Sequence, residues 1–237
     1  MEETKPSFTI SSPVAIIIAG VIIAGAVIWS NSKAPPVQVA ATNTQPAAPA
    51  VDIAQVKTAG EPTLGNANAP VTIAYWYDYQ CPFCSRNEET AMPQLIKEYV
   101  DTGKAKIVFK DYQFLGPDSQ TLGQYSRAVW ATAPEKFYLW HKAIFDNQGK
   151  ENTGWATQAK ILSITTSVLG AESTSKVVAA VKTNGSSYQQ QMDADKAEGS
   201  AMGISGTPGM IIGKQLVSGA VPYAQIKAAV DTALAIK

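Results

Sequence analysis

The sequence predicts an α/β domain: a parallel strand–helix–strand unit, a block of inserted helices, then a closing hairpin and helix, carried behind an apolar segment and a tether. Three observations lead there. A β-branched and aromatic run, Val71 to Tyr77, stops at a Cys-x-x-Cys that opens a helix. Residues from about 117 to 200 carry helical signals only. Ahead of the first strand the composition changes twice, from apolar to Ala/Pro-rich to globular.

The 237 residues hold 19 Lys+Arg and 19 Asp+Glu, a balance that offers no electrostatic footprint for nucleic acid. With 46% hydrophobic and 16% charged positions, against about 25% charged in an average domain, the chain supports one sizeable core. Two cysteines cannot staple a small disulfide scaffold, but they can form one redox pair. The single histidine, His141, allows at most one Ser/His/Asp constellation. With the cysteines it gives three N/S ligands where a structural zinc takes four, so no metal site is expected.

Val14 to Trp29 is an uncharged apolar run inside a wider uncharged stretch bounded by Lys5 and Lys33. As a helix it covers roughly 24 Å and must recruit its flanks to span a hydrocarbon core of about 30 Å. The start is acidic (Glu2, Glu3) around one Lys5, and the small-x-small triplet Ala24-Gly25-Ala26 lies inside the run. Residues 1–33 are therefore expected to be an uncleaved transmembrane signal-anchor, with a cleaved signal ending near Ala34 or Ala41 as the alternative. Lys5 against Lys33 does not decide orientation by charge. From Ala34 the chain turns to Ala, Pro, Gln, Thr and Val with few aromatics, which predicts a disordered linker over 34–61 and a folded domain over 62–237.

The first clear strand is Val71 to Tyr77, closed by the polar Asp78-Tyr79-Gln80 before Cys81-Pro82-Phe83-Cys84. Ser85 to Val100 is helical in composition, with Leu95, Ile96 and Tyr99 on one face and a kink expected at Pro93. The cysteines thus sit at a strand-to-helix junction, where the unpaired N–H groups and partial positive charge of the first turn favour a thiolate at Cys81. Pro82 suits the first helical position because it has no N–H to lose. Cys84, one turn on, can close or resolve a disulfide, although a lone Cys-x-x-Cys is also half a zinc site. Asp101-Thr102-Gly103 ends the helix, and Ala105 to Lys110 follows as a second strand, parallel to the first through a right-handed crossover.

Helices are then expected over Ser119 to Thr132, Glu135 to Phe145 behind Pro134, within Ala156 to Leu169, Glu172 to Thr183 and Tyr188 to Met202. Trp130, Phe137, Trp140 and Phe145 recur at helical spacing and read as core, and His141 reads as structural. Gly209 to Ile212, a Gly213-Lys214 turn and Gln215 to Val217 make the hairpin, and Pro222 to Lys237 the last helix. Thr207-Pro208 precedes the hairpin: a proline at a sheet edge is the plain reading, a cis bond the sharper one.

On these residues the sequence resembles the DsbA-like family of thioredoxin-fold thiol-disulfide oxidoreductases. The resemblance is carried by Ala69-Pro70-Val71-Thr72-Ile73, by Asp78-Tyr79-Gln80-Cys81-Pro82-Phe83-Cys84, by Pro93-Gln94-Leu95 through Glu98-Tyr99-Val100, and by Gly203-Ile204-Ser205-Gly206-Thr207-Pro208. It covers about 62 to 237, including the helical insertion at about 117–200. It implies a thioredoxin-like fold and an enzyme that needs no cofactor. Cys81 would be the exposed attacking sulfur, Cys84 its buried partner and Pro208 a cis proline, with Thr207 offering backbone hydrogen bonds to a bound peptide. The implied partners are cysteine-containing substrate proteins and a redox partner protein that recycles the pair. With the N-terminal helix, this gives a single-pass protein of the cell membrane whose catalytic domain is extracytoplasmic.

Pro82 and Phe83 would modulate the site. Phe83 stands where the most strongly oxidising relatives carry histidine, which removes a charge-assisted stabilisation of the thiolate. Gly209 follows the proline where a bulkier residue is commoner, which predicts a more mobile cleft floor. Oxidation of substrate thiols is the leading expectation. Its alternatives are a reductase or isomerase running the same exchange in reverse and a module carrying Cu(I) or another metal on the two thiolates.

Overall fold

The computed structural model describes residues 51–236. The apolar run at Val14 to Trp29, the expected anchor and most of the expected linker lie outside the described residues. Among the described residues, no helix is long and apolar enough to cross a membrane.

Five strands form one sheet in the order β1-β3-β2-β4-β5. β2 (Val71–Tyr77) lies in the middle, and β3 (Ala105–Asp111) runs parallel to it, in register from Val71 opposite Ala105 to Tyr77 opposite Asp111. β4 (Gly209–Ile212) is antiparallel to β2, and β5 (Gln215–Ser218) is antiparallel to β4. A two-residue strand, β1 (Thr63–Leu64), adds antiparallel to the outer side of β3. Period-two alternation makes β2 feed two cores. Ile73, Tyr75 and Tyr77 join the larger one with Cys84, Met92, Leu95 and Phe109, while Ala74 and Trp76 join a smaller one with Tyr112, Ile204 and Ile211.

α1 (Pro82–Leu95) joins β2 to β3. It continues past Pro93 into a wider i→i+5 turn over Ile96–Val100, closed by the Asp101 N–H donating to the Ile96 carbonyl. After β3 come α2 (Pro117–Thr132), α3 (Phe137–Asp146), α4 (Gln158–Leu169) and α5 (Ala171–Ala201). α6 (Tyr223–Ala235) closes the chain against α1.

Two expectations are corrected. The separate helices expected at 172–183 and 188–202 are one 31-residue helix, α5. Asn184-Gly185-Ser186-Ser187 reads as a break, but a helical glycine costs only about 1 kcal/mol, and packing against α2 outweighs that. The linker expected over 34–61 also ends earlier than residue 61, because the chain is packed from Val51 onward. Val51 and Val56 are buried in the smaller core beside Trp76, and the Ile53 N–H donates to the Gly213 carbonyl at 2.8 Å.

Glu61, at the end of that expected linker, enters a buried ion cluster. Lys110 on β3 is fully buried, with Asp195 at 2.5 Å, Glu198 at 3.0 Å and Glu61 at 3.4 Å. Arg127 on α2 holds Asp111 and Glu61 at 2.6 Å each and also meets Asp195. Burial pushes the Asp195 carboxyl up to about 7 while Arg127 pulls it down. The cluster ties β3, α2, α5 and the N-terminal segment into one body. Trp76 adds a bond from its indole N–H to the Asp195 carbonyl at 2.9 Å, packed where a Cβ on Gly199 would lie 2.6 Å from Nε1.

Candidate active site

The loop after β2 is held by side chains brought to it from the insertion. Asp78 is buried, and its carboxylate accepts from the Gln80 N–H at 2.8 Å, the Phe114 and Leu115 N–H groups at 2.8 and 3.0 Å, and the Ser119 hydroxyl at 2.6 Å. Burial raises its pKa and these donors oppose the rise. Gln80 donates to the Leu115 carbonyl and to Ser119, and accepts from the Asn152 N–H. Gln148, in the loop after α3, donates to the carbonyls of Tyr79 at 2.8 Å and Cys81 at 3.1 Å.

Cys81 occupies the N-cap of α1 with extended backbone, and Pro82 takes the first helical position. The Cys81 carbonyl accepts from the N–H groups of Cys84 at 3.0 Å and Ser85 at 3.2 Å. Across the groove the Thr207–Pro208 bond is cis, and the Cys81 thiol donates to the Thr207 carbonyl at 3.3 Å. The structure thus brings Cys81, Cys84, Thr207 and Pro208 together from opposite ends of the domain.

The two sulfurs differ in electrostatics. Both are free thiols; Cys81 is 5% exposed and Cys84 fully buried. Cys81 is lowered to about 6, first by a hydrogen bond from the Cys84 thiol, then by the Thr207 hydroxyl and the Cys84 and Phe83 N–H groups of the helix start, against the opposing effect of burial. Cys84 is driven the other way by burial and by the charge of Cys81. Near neutrality the arrangement holds one nucleophilic sulfur at the groove and one protonated sulfur behind it.

Phe83 projects into solvent at 54% exposure. Where sequence reasoning found no cation at this position, the structure supplies one nearby: the Arg86 guanidinium lies 5.1 Å from the Phe83 ring centroid and donates to the Ala220 carbonyl at 3.1 Å. The i,i+3 spacing of Phe83 and Arg86 on a helix was the available signal. Gly209 is also better explained by packing than by mobility, because a Cβ there would meet Ile204 Cδ1 at 2.9 Å. Gln148 had no sequence signal, since it lies in a loop remote in the chain.

His141 is buried in a ring of aromatics. Its Nδ1 is 3.0 Å from the Tyr79 hydroxyl and its Nε2 is 3.2 Å from Glu88. Both ring nitrogens are therefore engaged within the core, where they tie α3 to α1 and to the loop after β2. Among the described residues no group of three or more His, Cys, Asp or Glu side chains is placed to hold a metal ion.

With this geometry in view, comparison with known proteins is decisive. A family model described as thioredoxin matches residues 57–232. The chain belongs to the thioredoxin family. Within it, the chain is 27% identical over 178 residues to disulfide bond formation protein D of Bacillus subtilis (strain 168), covering 74% of this chain and 78% of that protein. The crystal structure of oxidised BdbD from Bacillus subtilis matches with a TM-score of 0.70 and 25% identity, over 79% of this chain and 99% of that one. The thiol-disulfide exchange protein α-DsbA2 from Wolbachia pipientis matches with a TM-score of 0.64 and 26% identity, over 73% and 86%. These relatives place this thioredoxin-family chain among the DsbA-like thiol-disulfide oxidoreductases, with the thioredoxin-like α/β fold and a helical insertion.

Proposed function

We propose that this oxidoreductase works in the oxidising direction, on cysteine-containing proteins outside the cytoplasm. The observation that supports this is the low pKa of Cys81 beside the high pKa of Cys84. A stabilised Cys81 thiolate stabilises the reduced enzyme, and a couple whose reduced form is stabilised is a strong oxidant. In the reaction a substrate thiolate bonds to Cys81 Sγ, the Cys81–Cys84 bond breaks, and its electron pair goes to Cys84 Sγ. A second substrate thiolate then attacks the substrate sulfur of the mixed disulfide, forms the substrate disulfide and releases the Cys81 thiolate. A redox partner protein that accepts two electrons restores the disulfide. The uncharged run Val14 to Trp29 supports an anchor that holds the domain on the oxidising side of a membrane.

The test is equilibration of the full chain with glutathione. The oxidising reading expects a reduction potential above about −200 mV, well above the roughly −270 mV of thioredoxin. A value near the thioredoxin figure assigns the chain to reduction.

A further inference from the structure

Pro82 leaves the peptide after Cys81 without an N–H, so a hydrogen bond can fix the Cys81–Pro82 plane only through the Cys81 carbonyl. That oxygen accepts three donors. Two belong to α1 itself, the N–H groups of Cys84 at 3.0 Å and Ser85 at 3.2 Å, and the third is the Gln148 side-chain amide at 3.1 Å. The same amide nitrogen donates to the Tyr79 carbonyl at 2.8 Å, so both of its hydrogens go to backbone carbonyls, one before Cys81 and one after it.

The loop that carries Gln148 is itself held. The Gln148 N–H donates to the Phe145 carbonyl at 3.0 Å, and Lys160 of α4 reaches the Asn147 carbonyl at 2.8 Å. A Cβ on Gly149 would stand 2.5 Å from Trp155 Cβ, so the chain is packed against itself there. Asn152 takes a left-handed backbone (φ 58°) and donates its N–H to Gln80 Oε1 at 2.9 Å. One loop of the insertion therefore bonds three consecutive residues, Tyr79, Gln80 and Cys81. Its neighbouring amides are used differently: Asn147 caps the Ala143 carbonyl of its own helix at 3.0 Å, whereas Gln148 sends its amide to a carbonyl 67 positions away.

We propose that Gln148 is a positioning residue for the nucleophile, its amide holding the peptide planes before and after Cys81 so that the first N–H groups of α1 stay aimed at the Cys81 sulfur. This rests on Cys81 being the attacking sulfur and holds for exchange in either direction. The Phe83 and Cys84 N–H groups are among the donors that favour the Cys81 thiolate, and the Cys81–Pro82 plane leads straight into the turn that carries them. Without the amide the Cys81 carbonyl keeps its two helical donors, so α1 still forms, but the Tyr79 carbonyl loses this donor and the segment gains freedom to turn. The insertion thus acts on the reactivity of the sulfur through the backbone, with no contact to substrate required.

The test compares Gln148→Leu, which removes the donor, with Gln148→Lys, which keeps one, in the reduced full chain. Cysteine-resolved alkylation is followed across pH and urea unfolding is measured beside it. In Gln148→Leu the rate of Cys81 alkylation at pH 6 is expected to fall about threefold, within the worth of one hydrogen bond. At about pH 9, where an ordinary thiol is largely ionised, the two chains are expected to react alike. Gln148→Lys is expected to react at pH 6 at the parental rate or faster. A purely structural role would lower the urea midpoint of both variants and leave the Cys81 titration where it is. Gln148→Leu with the parental Cys81 titration would overturn the proposal, whatever its stability. If Gln148→Leu does not fold, Gln148→Lys still decides, because a Cys81 titration above the parent's would overturn the proposal as well. A parent chain whose Cys84 reacts before Cys81 would refute the reading of the nucleophile, and the proposal with it.

Discussion

The domain buries polar groups in two places and treats them in opposite ways. In the ion cluster at the N-terminal segment, Lys110 and Arg127 each meet three carboxylates among Glu61, Asp111, Asp195 and Glu198. Around the sulfur pair, Cys81 meets the Thr207 carbonyl at 3.3 Å and is held low, while Cys84 is fully buried and held high. A filled ion network fixes one geometry, whereas two sulfurs held at opposite ends of the thiol range keep one of them ready to react. The first region is built to hold the fold and the second to react, so substitutions at the two should separate stability from activity.

The largest separation is expected at the sulfurs. Cys81→Ser should abolish exchange, and Cys84→Ser should accumulate mixed disulfides with substrate, while both variants keep their denaturation midpoint; gel analysis under non-reducing conditions reads the trapping. Trapping by Cys81→Ser instead of Cys84→Ser would exchange their roles. At the ion cluster the pattern should invert. Arg127→Leu leaves Asp111, Glu61 and Asp195 buried without their guanidinium and should cost about 3–5 kcal/mol in a urea titration. The fraction that remains folded should exchange at the parental rate.

A smaller effect sharpens the boundary of the first region. A chain starting at Glu61 loses Val51 and Val56 from the smaller core and the Lys57 carbonyl that accepts from Lys110 at 3.0 Å. It should lose about 3 kcal/mol relative to a chain starting at Ala47, measured as a drop in unfolding midpoint with cooperativity retained.

The same contrast explains what the sequence revealed. The strand from Val71, the helix from Pro82 and the hairpin after Pro208 are local patterns: period two, a proline at the first helical position, a two-residue turn. The cysteine pair was legible for the same reason, since its chemistry comes from adjacent residues at a helix start. The N-terminal segment was not legible, because its few apolar residues, Val51, Ile53 and Val56, continue an Ala/Pro-rich stretch with no clear period, and Glu61 finds Arg127 across 66 positions. Gln148 likewise reaches Cys81 across 67 positions. The continuity of α5 through Gly185 was decided by tertiary packing against α2, which local propensity does not carry.

Exchange at this site depends on the inequality of the two sulfurs, and cysteine-resolved alkylation of the reduced chain across pH measures it. Cys81 has its pKa depressed in the folded protein, so the reduced form gains stability that is fully present above the ordinary thiol range and lost as pH falls through about 6. Mass spectrometry of the alkylated chain should show Cys81 modified with a half-maximal rate near pH 6 and Cys84 unmodified until the protein unfolds. Both cysteines reacting together, with a midpoint near the ordinary thiol value of about 8.5, would contradict the assignment of Cys81 as the reactive thiolate and Cys84 as its buried partner.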